Sequence, residues 1–460
     1  MPTQAAADRC GRPRIVPARW TVRGSCGIKI RRKMSRNVYD ELKERGFVCQ
    51  VSDEAAVRRL LGGKRTTFYV GFDSTAGSLH AGSLVPIMAM VHLKNAGHRA
   101  IAVIGGGTTM VGDPSGKTEM RRMLDEATIS AYGESIKAQL DRFLGFDGES
   151  ALAVNNAEWL RDLNYIGFLR DIGRHFSVNR MLASEAYRLR LEKGLSFIEF
   201  NYQLLQAYDY LTLYRRFDCR LQMGGDDQWG NILAGVDLIR RVESAQVEAL
   251  TFPLLTTASG AKMGKTARGA VWLDAGLFSP YEYYQYWVNC DDRDVGRFLK
   301  LFTFLPLAEI ARLEGLKDRE ANEAKRVLAY EATKLAHGGK AAEEARAASG
   351  AVFGADESGP SAAASEKAGG GLQALPVTGV PRRRLREGIS PAELFTEVGL
   401  TPSRKEAKRL IQQGGLYIND AVVEGPDRLV TEKDLGPHGI ILRAGKKKVH
   451  RVVVADAPAA

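Results

Sequence analysis

The spacing of apolar positions predicts the elements in turn. "TTFYVGFD" (66–73) is dense in β-branched and aromatic residues and ends in Gly-Phe-Asp, which reads as a buried strand leaving for a loop. "LVPIMAMVHLKNAG" (84–97) carries helical spacing and closes on Gly97. "AIAVIGG" (100–106) is a continuous apolar run bounded by glycines, the mark of a second buried strand. Strand, helix and strand within about 40 residues make a βαβ unit, so an α/β fold with a parallel sheet is expected. Residues 120–215 read as mostly helical. "RLQMGGDDQWGN" (220–231) returns to strand-then-loop, and helix resumes through "ILAGVDLIRRV". From about 275 to 345 the pattern is helical again, ending in "EAKRVLAYEATKLAHGG".

Composition then sets the boundaries. Residues 346–380 are rich in Ala, Gly, Ser and Pro with few large apolar side chains, as a linker would be. Beyond it, turn signals such as "NDAV" and "EGPD" punctuate mixed α and β patterning. The expected division is a basic N-terminal extension (1–34), an α/β catalytic domain (35–274), a helical domain (275–345), a linker (346–385) and a small α+β domain (386–460). The first 34 residues hold nine Lys and Arg against one acid and show no periodicity. A disordered tail, or an upstream start preceding Met34, is the expected reading.

Charge and cysteine usage narrow the classes. The net charge of +11 suggests a nucleic-acid binder, but +8 of it lies in residues 1–34 and +5 in 381–460, leaving the middle at −2. Five scattered cysteines with no C-x-x-C spacing argue against a disulfide framework or a structural zinc site and suit a reducing cytosol. No apolar run approaches a membrane span.

Two loops carry the first chemical signal. "GDPSGKT" (112–118) and "GAKMGKT" (260–266) both end in Gly-Lys-Thr, yet each has three residues between its glycines where a P-loop needs four. A shorter loop cannot wrap the same phosphate, so a P-loop NTPase is excluded. In "YVGFDSTAGSLHAGSLVP" (69–86) a strand ends and His80-Ala81-Gly82-Ser83 opens a helix, whose unpaired N–H groups favour an anion. A lone H-x-G is more often a capping histidine than a ligand.

Joined together, these pieces are specific. The His80 stretch resembles the "HIGH" element of class I aminoacyl-tRNA synthetases, and "KMGKT" (262–266) resembles their mobile "KMSKS" loop. "YVGFDSTAGSLHAG", "GGGTTMVGDPSGKTEMR", "FNYQLLQAYDYLTLY" and "GGDDQWGNI" are each similar to the bacterial tyrosyl-tRNA synthetase family, in its order and spacing. The resemblance covers roughly residues 35–345 and then the C-terminal domain. Two departures stand out: Ser83 replaces the second His, and Gly264 replaces the loop Ser, a more flexible turn compatible with a loop that must move.

The resemblance implies a Rossmann-like catalytic domain that activates tyrosine with ATP and transfers it to tRNA(Tyr), with Mg²⁺ accompanying ATP and no residue assigned to hold a metal. A carboxylate attacking a phosphate needs no general base, so the enzyme should supply cations and donors. By motif match these are Thr75, His80, Lys117, Arg121, Lys262, Lys265 and Thr266, the two lysine loops clamping the departing pyrophosphate from opposite sides. Gly71, Asp73, Gly82, Ser83, Asp227 and Lys265 are assigned to ATP, Gly82 letting the adenine or ribose approach the backbone and Asp227 meeting the ribose. Tyr69 and Asp209 match the pair that reads the substrate phenol. Tyr202, Gln206 and Asp209 sit at i, i+4 and i+7, on one helix face. With Asp113, Tyr202 and Gln206 are assigned to the α-amino group, and Gln228 lies beside the carboxylate.

"SRKEAKRLIQQGGLYIND" (403–420) adds an independent line. Ser403 and Glu406 form a capping box, Gly414-Gly415 ends the helix and "LYIND" begins a hairpin. Arg404, Lys405, Lys408 and Arg409 form adjacent basic columns, which cost stability unless an anion answers them. The segment looks like an S4-type RNA-binding domain. Family resemblance further implies a cytoplasmic homodimer with "FLRDIGRHFSVNRML" (168–182) in its interface. The rivals are a tryptophanyl-type enzyme, opposed by Tyr69 with Asp209; a non-catalytic RNA-binding protein, opposed by His80, Lys262 and Lys265; and a nucleotidyltransferase, which would lack the S4 tail and the lysine clamp.

Overall fold

Strands β1 (Thr67–Asp73) and β2 (Arg99–Gly105) lie side by side and parallel, with Tyr69 opposite Ile101. The computed structural model describes residues 36–115, 123–258, 260, 263–266, 269–317, 320–353, 372, 375–445 and 448–455, with backbone alone at 185, 186, 189, 265, 266 and 351–353. The helix Leu84–Asn95 crosses between β1 and β2, apolar on nearly every face because it packs beneath the sheet. Beyond β2 lies β3 (Ala151–Asn155), and on the far side of β1 come β4 (Cys219–Gly225) and β5 (Glu248–Phe252). The order β3-β2-β1-β4-β5, all parallel, places a crevice between β1 and β4, where the chain reverses its direction of travel across the sheet.

The stretch 120–215 does hold the helices Glu126–Leu144 and Phe197–Phe217, but β3 sits between them. Five residues, "ALAVN", are too few for alternation to outweigh the helical patterning on either side. β5 was not foreseen either: it is buried along its whole length and shows no alternation to read.

The helical region comprises Pro280–Val288, Asp292–Phe302, Leu307–Glu314 and Ala321–His337. A further helix, Gly339–Phe353, runs into the stretch read as linker, its alanines packing on the neighbouring helices. Packing does not break at residue 274: Met263, Val271 and Leu273 share one core with Tyr283, Tyr284 and Trp287. One buried cation reinforces this union. Arg45, at the end of helix Val38–Arg45, pairs with Glu41 at 3.1 Å and donates to the carbonyls of Lys300, Thr303 and Leu305 at 3.2, 3.2 and 2.9 Å. It thereby caps the C-terminal end of Asp292–Phe302 with a fork of donors.

Two short strands, β6 (Lys265–Thr266) and β7 (Gly269–Ala270), pair antiparallel, and the C-terminal sheet runs β10 (Ala421–Val422), β9 (Leu416–Ile418), β11 (Ile440–Ala444), β12 (Lys448–Ala455) and β8 (Val377–Pro381) in that order. Here β8 and the start of the helix Arg382–Glu387 come from residues read as linker (346–385); β8 pairs parallel with β12. The hairpin read from "LYIND" forms between β9 (Leu416–Ile418) and β10 (Ala421–Val422), with Asn419 and Asp420 both at positive φ. One face of the sheet, including Ile418 and Leu442 of β11 (Ile440–Ala444), buries against the helices Pro391–Glu397 and Arg404–Gln412. On the other, Ile441 and Val449 meet Tyr281, Ala348 and Leu375. No helix among the described residues is long and apolar enough to cross a membrane.

Replacing Arg45 by Ala takes a charged partner from Glu41 and leaves the carbonyls of Lys300, Thr303 and Leu305 without this donor. A stability loss of about 3 kcal/mol is expected in denaturant unfolding. Arg45→Lys should restore only part of it, because one ammonium cannot span three carbonyls.

Candidate active site

The C-terminal ends of β1, β2 and β4 open onto a cavity of about 550 Å³. Tyr69, Gly71, Asp73, Thr75, His80, Ser83, Asp113, Tyr202, Gln206, Asp209, Asp227 and Gln228 all line it, so residues spread over about 160 positions of sequence meet in one place. Lys117, Arg121 and Lys262 lie outside the described residues, and Lys265 and Thr266 are described in backbone only.

The floor is a chain of hydrogen bonds linking two carboxylates. Asp209, 3% exposed, accepts from Asn156 Nδ2 at 2.9 Å and from Trp159 Nε1 at 2.7 Å. Asn156 also donates to Thr108 Oγ1 at 3.0 Å and accepts from Gly107 N–H at 2.7 Å, which fixes the amide's orientation. Thr108 in turn donates to Asp73 Oδ1 at 2.8 Å, and Tyr202 donates to Asp73 Oδ2 at 3.0 Å. Burial pushes the Asp209 carboxyl up to about 7; Asn156 and Trp159 pull it back down, and Asp73 adds to the rise. Beside it the Tyr69 hydroxyl is buried with no hydrogen-bond partner among the described residues, and burial raises its pKa well above that of a free phenol. Here is a buried hydroxyl next to a buried carboxylate, with room for a third polar group.

Gln206 Oε1 and Gln222 Oε1 are likewise buried without partners among the described residues. Asp113 accepts from Ser115 N–H at 2.9 Å and from Gln228 Nε2 at 2.7 Å, and Asn231 steadies Gln228 Oε1 at 3.1 Å. Gln228 therefore orients Asp113 in this structure, and Asp73, assigned to nucleotide, has its two oxygens on Tyr202 and Thr108. Asn156, Trp159, Thr108 and Gln222 escaped the sequence reading. The first two follow the short β3, so missing the strand meant missing them.

At the other end of the cavity the turn 80–83 meets the lysine loop. His80 Nδ1 accepts from Gly82 N–H at 3.0 Å, which leaves the ring proton on Nε2. Ser83 stands before the helix Leu84–Asn95 without making a side-chain cap, so its hydroxyl is not spent on the helix end. Residues 79–81 and 271–273 run antiparallel, with Ala81 N–H on Val271 O and Leu273 N–H on Leu79 O, each at 2.8 Å. This ladder brings Gly264 against Gly82. Gly264 has φ +81°, and a Cβ there would lie 2.8 Å from Gly82 N; a Cβ on Gly82 would lie 2.8 Å from the His80 ring and 3.3 Å from Met263 O. The two glycines are the contact surface between turn and loop, which gives Gly264 a reason beyond flexibility.

Comparison with known proteins agrees over most of the chain. The family profile "tRNA synthetases class I (W and Y)" matches residues 62–354, and "Tyrosine--tRNA ligase SYY-like C-terminal domain" matches 373–452. The tyrosine–tRNA ligase of Desulfosudis oleivorans is 55% identical over 435 residues, 91% of this chain and 99% of that protein. That of Syntrophus aciditrophicus is 54% identical over 419 residues, 90% and 98% of the two chains. The C-terminally truncated mitochondrial tyrosyl-tRNA synthetase of Aspergillus nidulans superposes with a TM-score of 0.61 at 30% identity, over 68% of this chain and 92% of that one.

Gly264→Ala forces a side chain into left-handed backbone and against Gly82, at a cost of about 1–2 kcal/mol local to the loop. Hydrogen exchange should quicken at the Gly82 and Val271 amides, with the strands β1–β5 unaffected. Unchanged exchange at both amides would mean that the two turns do not depend on this contact.

Proposed function

The chain belongs to the tyrosyl-tRNA synthetases of class I and is a tyrosine–tRNA ligase, and from that premise we propose which of its residues do each part of the work. The reaction joins the tyrosine carboxylate to the α-phosphate of ATP and expels pyrophosphate by breaking the α–β anhydride. A ribose hydroxyl at the 3′ end of the tRNA then attacks the tyrosyl carbonyl, and AMP leaves. Both steps need orientation and charge stabilisation more than a base.

The observation that carries the tyrosine assignment is the buried pair of Tyr69 hydroxyl and Asp209 carboxylate, each able to take one more hydrogen bond. The substrate phenol donates to Asp209 and accepts from Tyr69. An indole or a bare phenyl leaves both groups desolvated and unsatisfied, which is the larger part of the discrimination. The substrate ammonium is taken by Asp113, Tyr202 and Gln206 Oε1, with Asp73 holding the Tyr202 hydroxyl in place and Gln228 setting Asp113 beside the substrate carboxylate.

ATP enters over Gly71, Gly82 and Ser83, with its ribose on Asp227. The His80 Nε2 proton and Thr75 serve its phosphates, and Lys117, Arg121, Lys262, Lys265 and Thr266, assigned by motif, neutralise the departing pyrophosphate. Mg²⁺ arrives with the nucleotide phosphates as part of the substrate. The C-terminal unit is assigned to tRNA as an S4-type module. Its helix Arg404–Gln412 presents Lys405 and Lys408 outward, whereas Arg409 is paired with Glu406 at 2.6 Å and Arg404 with Glu393 at 3.5 Å. Ser403 accepts from Glu406 N–H at 3.2 Å, but the Glu406 carboxylate turns to Arg409 and makes no return bond to the Ser403 N–H, so only half of the expected capping box forms. Two of the four basic groups are thus answered within the fold, and Lys405 with Lys408 are the stronger candidates for phosphate. We assign residues 35–274 to catalysis, 275–353 to the helical domain and 375–455 to the tRNA module, in a cytoplasmic enzyme.

Homodimer formation is supported by apolar side chains on the surface around 165–198, among them Ile166 at 70% and Phe197 at 68% exposure. A patch of this kind on a soluble chain calls for a partner surface. Ile166→Asp should shift the protein from dimer to monomer in analytical ultracentrifugation; a wild-type monomer at micromolar concentration would remove the assignment.

Amino-acid-dependent ATP–pyrophosphate exchange tests the reading directly. Exchange is expected with tyrosine and not with phenylalanine or tryptophan. Because Asp209 titrates at about 7, its acceptor form is lost as pH falls, so the preference for tyrosine over phenylalanine should shrink by up to tenfold per pH unit below 7. Asp209→Asn should show low and pH-independent preference. A preference that is flat from pH 5.5 to 8 in the wild type would show that Asp209 is not the detector.

A further inference from the structure

We propose that Asp294 and Arg297, outside the substrate cavity, are positioning residues for the ATP step, holding the lysine-bearing loop by its root. The inference rests on the reading of that loop as the phosphate clamp.

Both residues lie in the first turns of the helix Asp292–Phe302, and neither lines the cavity. Asp294, 3% exposed, accepts from Ala258 N–H at 2.8 Å. Arg297 donates to the carbonyl of Thr256 at 2.6 Å and to Asp294 at 2.6 Å, with its guanidinium over the Phe298 ring. A paired carboxylate and guanidinium thus take one N–H and one C=O from the strand of chain leading into the loop. Both are charge-assisted bonds to main-chain atoms, so they fix the path of the backbone whatever side chains the loop carries.

The described far side of the loop is held in the same manner. Met263 N–H bonds Leu255 O at 2.9 Å, and its side chain is buried in the core shared with the helical region. Gly264 N–H reaches the Tyr286 hydroxyl of helix Pro280–Val288 at 3.4 Å, while the other side of Gly264 faces Gly82. The loop is therefore referenced to two helices of the helical region as well as to the nucleotide turn. A rigid tie matters here because a phosphate-binding lysine displaced by about 1 Å loses most of its advantage in the transition state.

Asp294→Asn keeps the size of the side chain but turns an amide N–H₂ toward Arg297. In pyrophosphate exchange it should lower kcat/KM for ATP about tenfold and leave KM for tyrosine within twofold. In a Lys265→Ala background the same change should cost less than twofold, since the lysine it positions is gone. Should Asp294→Asn fail to fold, Arg297→Gln, at the surface, carries the same test. An equal loss in both backgrounds, or a parallel rise in KM for tyrosine, would mean general structural damage and overturn the proposal. Lys265→Ala alone separates the premises: if it leaves exchange intact, the reading of the loop fails; if it lowers exchange while Asp294→Asn does nothing, only the anchor fails.

Discussion

Taking the Asp209 carboxylate out of water shapes the molecule more than any other single contact. A carboxyl 3% exposed is tolerated in its charged form only if donors replace the lost solvent. Asn156 and Trp159 supply two of them, and both have to be delivered by the end of β3. That requirement fixes the outer strand of the sheet, the entry to the helix carrying Trp159, and the face of Phe197–Phe217 that looks into the cavity. Compensation is incomplete, since the carboxyl still titrates at about 7. Its folded pKa is raised above the unfolded one, so the stability it contributes is complete below about pH 4 and is lost as pH rises through 7.

The second carboxylate, Asp73, is tied to the first through Thr108 and Asn156. Asp209 is linked through three side chains, Asn156, Thr108 and Asp73, to Tyr202. Buried networks of this kind resist partial replacement, because removing any member leaves a neighbour unsatisfied. The two ends of the cavity floor are therefore joined in one connected network.

How much of this was legible in the sequence depended on the range of the signal. β1, β2 and the helix between them announce themselves by composition, and the i, i+4, i+7 polar row on Phe197–Phe217 marked Tyr202, Gln206 and Asp209 for one cavity, where they do meet. Asn156 and Trp159 gave no such signal. An amide and an indole after a five-residue strand look like surface and core, and only the pairing of β3 with β2 brings them to Asp209. The linker was misjudged for the opposite reason. Small residues in "RAASGAVF" (346–353), at the start of the stretch read as linker, suggest looseness, but they continue the helix Gly339–Phe353, where Ala348 is fully buried against its neighbours. Alanine is the best helix former as well as a linker residue, so composition alone could not separate the two.

Gly264 shows where a motif departure becomes informative only in three dimensions. Read along the chain, a glycine in place of serine suggests a looser loop. In the fold it sits at φ +81° with Gly82 where its Cβ would go, and its amide faces Tyr286. The position is crowded and conformationally demanding, the reverse of loose. The lack of a side chain is what allows two backbones to approach this closely, and it makes Gly264 one of the loop's fixed points. The fixed points themselves, Thr256 and Ala258 on one arm and Gly264 on the other, are held through main-chain atoms.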